Sequence, residues 1–435
     1  MKKYPKYKDS GVSWIGEIPE GWNHIPFKVL FRNRKGLAIT KANLVDEGLP
    51  VISYGQIHSK INNGTQLQQA LYRFVDKSYL EDNQNCLVNQ GDFIFADTSE
   101  DLEGIGNCVY INEEMTLFAG YHTIIAKSYS TYENKYLAYL FKTDIWRSQL
   151  RSRVSGIKVY SLTQQILFSS KVIMPPMAEQ AAIVSYLDKK TCQIDRFISE
   201  AEKEIEKLNE LKQAQIARMV THGLNPNAPM KDSGIAWIGQ IPEHWEVKRI
   251  ALLFSENKDK NYDYEFDHAL KFNYGTLVPK NEKGDVSELK DTYIAYTKIK
   301  RNDIAINCLN LNYDFVSQRV AECPQDGILT SAYLIITPRE GVNSQYYNFL
   351  FKAMDSKKLF HGMGTGIRLT LSYNELKKQY VVVPPNDEQA AIVSAINSMG
   401  EKIDTLTTKL IAQIGYLKEL KQRIISDAVT GKIKC

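Results

Sequence analysis

KDSGVSWIGEIPEGW at residues 8–22 returns as KDSGIAWIGQIPEHW at 231–245, with 11 of 15 positions identical. PPMAEQAAIVS (175–185) returns as PPNDEQAAIVS (384–394), identical at 9 of 11. The two pairs are offset by 223 and 209 residues. Fainter echoes follow in the same order: SYG (53–55) with NYG (273–275), GDFIF (91–95) with NDIAI (302–306), and GYHTII (120–125) with SAYLII (331–336). YLAYLFK (136–142) with YYNFLFK (346–352) and SGIKVYSL (155–162) with TGIRLTL (365–371) complete the set. One ancestral unit was duplicated and its loops then drifted in length. Two units are too few for a stacked array, which buries its faces only with three or more repeats. They predict a pseudo-twofold molecule.

Each unit repeats one plan. W-I-G-x-I-P-E-x-W opens it, with Gly16, Pro19, Gly239 and Pro242 marking turns. Short β-like runs follow, among them LPVISYG, GDFIFAD and YHTIIAKS in the first unit and NDIAINCL and SAYLIITP in the second. A helix is expected over YLAYLFKTDIWRSQL, matched by YYNFLFKAMDSKKLF, then a strand ending in Pro-Pro. A long helix closes the unit. Ile194, Ile198, Ala201, Ile205 and Leu208 step by alternating fours and threes, as do Ile403, Thr407, Leu410, Ile414 and Leu417. That spacing is a coiled-coil seam with polar flanks. Gly223 with Pro226, and Gly431, stop the helices. Asn386 is placed to cap the second helix with Gln389 reaching back as a capping box, where Met177 caps nothing.

The fold class expected is therefore α+β: two similar mixed α/β heads separated by two long helices paired as an antiparallel coiled coil, with heads at opposite ends of a rod. The expected boundaries are 1–176 for the first head, 177–222 for the central helix, 223–385 for the second head and 386–435 for the distal helix.

The 435 residues are 43% apolar and 24% charged, which excludes a disordered chain. No apolar run approaches the roughly 20 residues of a membrane helix, and no apolar stretch follows MKKYPKYKDS as in a signal peptide. Six cysteines without a C-x-x-C pair argue against a zinc site and fit a reducing cytoplasm. The net charge of +4 permits a polyanion partner without requiring one. Catalytic signatures are missing: no P-loop, no H-E-x-x-H and no G-x-S-x-G. GMGTG (362–366) reads as a turn, and the Pro-Pro pairs lack the Asn or Asp and aromatic that hold a flipped adenine. E-x-K triplets at Glu210/Lys212, Glu288/Lys290, Glu375/Lys377 and Glu419/Lys421 read as ordinary charge pairs.

The duplicated head-plus-helix plan, W-I-G-x-I-P-E-x-W, P-P-x-x-E-Q-x-x-I-V and the helix ends ARMVTHGLNPNAPMKDSGIAWIG (217–239) and ISDAVTGKI (425–433) resemble the specificity subunit of type I restriction-modification enzymes. The resemblance covers essentially the whole chain. It implies that each head is a target recognition domain reading one half of a bipartite site in double-stranded DNA, with the helices setting the gap. It implies two methylation subunits docked on the helices, restriction subunits completing the nuclease, and no catalytic residue or cofactor on this chain. S-adenosylmethionine, ATP and Mg²⁺ belong to the partners. One departure is Met177-Ala178 where the second unit has Asn386-Asp387.

The residues suited to DNA lie in loops between the β-runs. The first head offers Arg32, Arg34, Lys35, Lys41, Tyr54, Gln56, His58, Lys60, His122, Arg151, Arg153 and Lys158. The second offers Lys258, Lys260, Asn273, Tyr274, Asn310, Asn312 and Arg368. Gln and Asn read adenine, Arg reads guanine, and Lys holds phosphate. For each residue alone, a solvated surface role is the simpler account. Two rival functions remain: an assembly spacer that binds no DNA, and an E-x-K nuclease. Divergent heads on a preserved frame speak against the first.

Overall fold

The computed structural model describes residues 3–12, 14–129, 132–156, 158–280, 286–364 and 369–435. The chain divides into two compact units. The first comprises residues 1–200 and 412–435, the second 201–411. Each therefore holds one head and one half of each long helix.

The W-I-G-x-I-P motif folds the same way twice. Tyr7–Asp9 pairs antiparallel with Glu17–Pro19, and Met230–Asp232 with Gln240–Pro242. The second tryptophan of each motif, Trp22 or Trp245, is fully buried. Its indole N–H donates to a carboxylate of its own unit, Glu179 at 2.9 Å or Glu388 at 2.5 Å. These glutamates are the E of P-P-x-x-E-Q. The two repeated motifs are thus two sides of one contact, and a charged acceptor strengthens it.

Strands at the start and end of each head pair antiparallel, Asn23–Pro26 with Lys171–Met174 and Glu246–Arg249 with Tyr380–Val383. Each head then carries a four-stranded antiparallel sheet with identical strand order. In the first unit the order is Phe31–Lys35, Thr123–Ser128, Phe93–Ala96, Cys108–Tyr110. In the second it is Phe254–Asn257, Leu334–Pro338, Ile304–Ile306, Val320–Glu322. The GDFIF and NDIAI echo is structural: Asp92 and Asp303 are buried and accept backbone N–H groups of their own turns, from Asn89 at 2.8 Å and Lys300 at 3.0 Å.

The SYG and NYG echo is not structural. Tyr54 follows Leu49–Ile52, which pairs in parallel with Leu117–Ala119 inside a five-stranded sheet. Tyr274 instead tips an antiparallel hairpin of Leu270–Asn273 and Thr276–Pro279. The helix expected over 136–150 is also two helices, Asn134–Phe141 and Asp144–Arg151, because Thr143 caps a fresh start by accepting the Trp146 N–H. Its counterpart is one helix, Ser344–Ser356, with no such cap in its middle.

The central helix spans Met177–His222 and the distal helix Asn386–Val429. Ile194, Ala201, Ile403 and Ile414 are buried, and the other seam positions are half-buried. Within the first unit the segments run antiparallel, with the Lys421 ammonium 2.6 Å from Asp195. Within the second, Lys212 lies 2.7 Å from Asp404. The two pairs are repeat counterparts, both residues shifted by 209. Lys212 and Lys421 are the lysines of two E-x-K triplets, so their charge is committed across the helix pair.

Head and helix ends interlock by repeat as well. The Tyr136 hydroxyl donates to the Val429 carbonyl at 3.0 Å, and its counterpart Tyr346 to Val220 at 2.7 Å. Each bond satisfies a carbonyl that a helix end leaves without a partner. Gly431 and Gly223 then turn the chain with φ of 73° each. A side chain at Gly431 would collide with Pro19 and Trp22.

The capping box is absent. Asn386 already lies within the helix, and the Gln389 backbone N–H donates to the Pro385 carbonyl at 2.9 Å and not to the Asn386 side chain, as Gln180 N–H does to Pro176 at 3.0 Å. Each glutamine instead donates its side-chain amide to the carbonyl of the preceding proline, Pro175 at 2.7 Å or Pro384 at 2.8 Å. The helix starts are therefore alike despite Met177.

Lys142, which ends YLAYLFK, is largely buried. Its ammonium donates to the Asn63 carbonyl. Burial, with help from nearby Lys421 and Arg147 and against the pull of Asp195, lowers its pKa to about 8. A lysine lowered in the folded state destabilises fully below pH 8 and not at all above its unfolded value near 10.4. Lys142→Met is expected to stabilise the protein by about 1–3 kcal/mol at pH 7. The gain should fade as pH rises from 8 towards 10.4. Urea unfolding across that range checks it; a gain independent of pH would contradict it.

Candidate nucleic-acid interface

In the first unit, Arg32, Arg34 and Lys35 are exposed on Phe31–Lys35, the edge strand of the four-stranded sheet. Cations on an edge strand also block strand addition, so their presence alone is not a DNA signal. Lys35 lines a cleft of about 600 Å³ shared with His122, Asp97, Gln164 and Gln165. His122 is exposed and holds a left-handed backbone, φ 56°, with Nδ1 3.3 Å from the Asp97 carboxylate. A non-glycine residue in that region is strained, and such strain concentrates at functional sites. The Tyr54 ring stands edge-on to His122, centroids 5.5 Å apart. Lys35, Tyr54 and His122 are thus brought together.

Three expected contacts are diverted to structure. The Gln56 side chain accepts the Ser53 N–H at 3.1 Å and holds a turn. His58 Nε2 donates to the Thr98 carbonyl at 2.8 Å while Nδ1 accepts from the Asn107 amide at 3.1 Å, so both ring nitrogens are used within the head. Arg151 donates to Asp144 at 2.9 Å and to the Glu103 carbonyl at 2.8 Å. Arg153 is exposed and donates to the Ser169 hydroxyl at 3.0 Å. Lys41, Lys60 and Lys158 are exposed, away from the cleft lining.

In the second unit, Lys258 pairs with Glu256 at 2.8 Å. Lys260 is drawn inward, donating to the Thr297 hydroxyl at 3.3 Å, the Ala295 carbonyl at 3.4 Å and the Ser331 hydroxyl. Arg368 lies outside the described residues. Asn273 and Tyr274 occupy the hairpin tip, where Tyr274 (φ 47°) and Gly275 (φ 74°) form the two-residue turn. Positive φ at both central residues is the type I′ turn. Gly275 packs so closely on Gln318 that a Cβ would lie 2.5 Å from its Oε1. Gln318 is next to last in the loop 307–319, which holds exposed Asn310 and half-buried Asn312.

That loop also holds residues the sequence reading passed over. Tyr313 and Val316 are 79% and 92% exposed, and Tyr274, on the hairpin whose Gly275 packs on Gln318 of this loop, 93%. Arg319 is 0% exposed and donates to the carbonyls of Asn307, Leu309, Asn310 and Asp314 at 2.7–3.4 Å. The Asp314 carboxylate accepts the Ser317 and Val316 N–H groups, and these bonds, Ser317 foremost, lower its pKa to about 2. The usable signal was apolar YDFV inside an Asn-rich loop. One site is thus polar, with a lysine, a carboxylate, an imidazole and amides; the other is aromatic and apolar on a pinned loop.

Residues 19–212 match the family described as type I restriction modification DNA specificity domain. The chain is 24% identical to a putative type I restriction enzyme MjaX specificity subunit of Methanocaldococcus jannaschii, over 97% of this chain and 95% of that one. It is 19% identical to the type I restriction enzyme EcoKI specificity subunit of Escherichia coli K12, over 96% and 90%. A chain solved for the structural basis of complex assembly and conformational transition of the type I R-M system overlays with a TM-score of 0.66 at 14% identity, over 96% and 99%. The HsdS subunit from Thermoanaerobacter tengcongensis overlays with a TM-score of 0.51 at 14% identity, over 96% and 98%.

Proposed function

We propose that the chain is a specificity subunit of the type I restriction-modification kind, as the match of residues 19–212 and the likeness to full-length relatives support, and that it reads a bipartite site in double-stranded DNA, one half-site per head. The carrying observation is a preserved frame with diverged faces. Strand order, Trp–Glu bonds and inter-helix ion pairs recur in both units. The polar cleft and the aromatic loop do not recur. A pure assembly spacer has no need of such divergence.

In this reading the paired helices form an antiparallel coiled coil that fixes the gap between half-sites and, with adjoining surfaces, docks two methylation subunits. Restriction subunits complete the nuclease. The chain acts without catalytic residues of its own, and S-adenosylmethionine, ATP and Mg²⁺ serve on the partners. Methylome sequencing of a host with and without this gene tests the reading. Methylation at one bipartite motif should appear only with the gene; no gene-dependent motif would refute it.

The gap is tested by insertion. Four residues placed after Leu208 and four after its repeat counterpart Leu417 fall between the two ion pairs on both strands of the coil, so both pairs can persist. Each helix lengthens by about 6 Å. At about 3.4 Å per base pair the gap should widen by one or two base pairs while both half-sites keep their sequence. An active variant with an unchanged gap would show that the helices do not set it.

A further inference from the structure

We propose that Tyr274, Tyr313 and Val316 form an apolar wedge by which the second unit contacts the bases of duplex DNA, reading its half-site through stacking and the ease with which a base step opens. The proposal rests on the DNA-specificity reading above and deepens it by naming one unit's reading surface.

Three observations carry it. First, the three side chains are 79–93% exposed, on a hairpin and a loop that meet where Gly275 packs on Gln318. A patch of large apolar groups facing water marks a binding surface more often than chance. Second, the loop that carries Tyr313 and Val316 is tied to its own head. The buried Arg319 guanidinium ties four loop carbonyls, and Phe315 stacks on His361 with centroids 4.7 Å apart and planes at 19°. His361 Nε2 also donates to the Asp314 carbonyl at 3.1 Å. A preorganised surface loses little conformational entropy on binding. Tyr274 keeps φ 47°, where Gly or Asn would sit with less strain.

Third, the corresponding loop of the first unit, between Phe93–Ala96 and Cys108–Tyr110, has opposite chemistry. It carries Asp97, Glu100, Asp101 and Glu103, and Leu102 is its exposed large apolar residue. A surface for a partner shared by both units would recur with the frame. This one does not, so it faces what differs between the units, the two half-sites. Apolar and aromatic side chains engage DNA by stacking on bases and by wedging into deformable steps.

The test uses the full chain carrying Tyr274→Ser, Tyr313→Ser and Val316→Ser, assembled with its methylation subunits. Wild-type and variant complexes select from duplexes with a randomised central segment, and the selected sequences are read. The wild type should select two half-sites. The variant should keep one and lose preference in the other, with affinity for the wild-type sequence down about ten- to a hundredfold. Affinity for unrelated duplex and the salt slope should not change. 2-Aminopurine placed in the affected half-site should brighten with the wild type only. Unchanged preference in both halves overturns the wedge. So does a folded variant that no longer assembles with methylation subunits, which would make the patch a protein contact. A wild-type complex that selects no sequence overturns the DNA-specificity reading itself, and the wedge with it.

Discussion

Replacing Arg319 by methionine is expected to release the loop 307–319 and cost the second unit about 3–5 kcal/mol of stability. The guanidinium is enclosed, and its N–H groups supply the carbonyls of Asn307, Leu309, Asn310 and Asp314. Methionine fills similar volume but donates nothing. The carbonyls must then stay unpaired or swing out to water, and opening the loop is the cheaper course. Lysine should rescue only in part, because one ammonium cannot span carbonyls that a planar fork reaches. Hydrogen exchange checks this directly. The amides of Val316 and Ser317, bonded to Asp314 at 3.1 and 2.9 Å, should lose protection in Arg319→Met while the first unit stays unaffected. Retained protection would show that the arginine does not hold the loop. Acid should act in the same direction. The Asp314 pKa is lowered to about 2, so its contribution is complete above its unfolded value near 3.9 and fades as pH falls towards 2.

Arg319 also shows where sequence reading ran out. Repetition made the frame legible: residues that recur have recurring jobs, as Trp22 with Glu179 and Trp245 with Glu388 demonstrate. The helix seam was legible because its period is local. The surface was not, because residue type does not determine whether a polar side chain faces water or its own backbone. His58, Gln56, Arg151 and Lys260 were plausible DNA contacts by type and are hydrogen-bonded within their own head. The tripeptides SYG and NYG matched by letters and differ in fold, since three residues carry too little information to fix a register. Arg319 belongs to a residue type that usually faces water. Only tertiary closure of a 13-residue loop encloses it, and no local pattern reports that.

Exchange of the second head is expected to change one half of the recognised site completely and leave the other untouched. The structure decides where to cut. A segment starting at residue 246 and ending at 365 would take Glu246–Arg249 from the donor and leave its partner Tyr380–Val383 with the host. That splits an antiparallel pair that sets Val247 opposite Val382 and Arg249 opposite Tyr380. The Arg249 guanidinium lies over the Tyr380 ring, 5.3 Å from its centroid, and donates to its hydroxyl at 3.0 Å. Cutting at 250 and 379 keeps that pair, the Trp245–Glu388 bond and the Gly223 turn with the host frame, and moves the sheet, the hairpin and the Arg319 loop as one piece. The Tyr346–Val220 bond spans the joint, so the donor needs tyrosine at that position. The physical ground for independence is that each head packs its own core with its own halves of the helices, so substitutions in one core should not propagate to the other. Methylation mapping of the exchanged protein checks it. A change in both half-sites would mean that the heads read DNA as a coupled surface, and a wider or narrower gap would mean that the heads, and not the helices alone, set their separation.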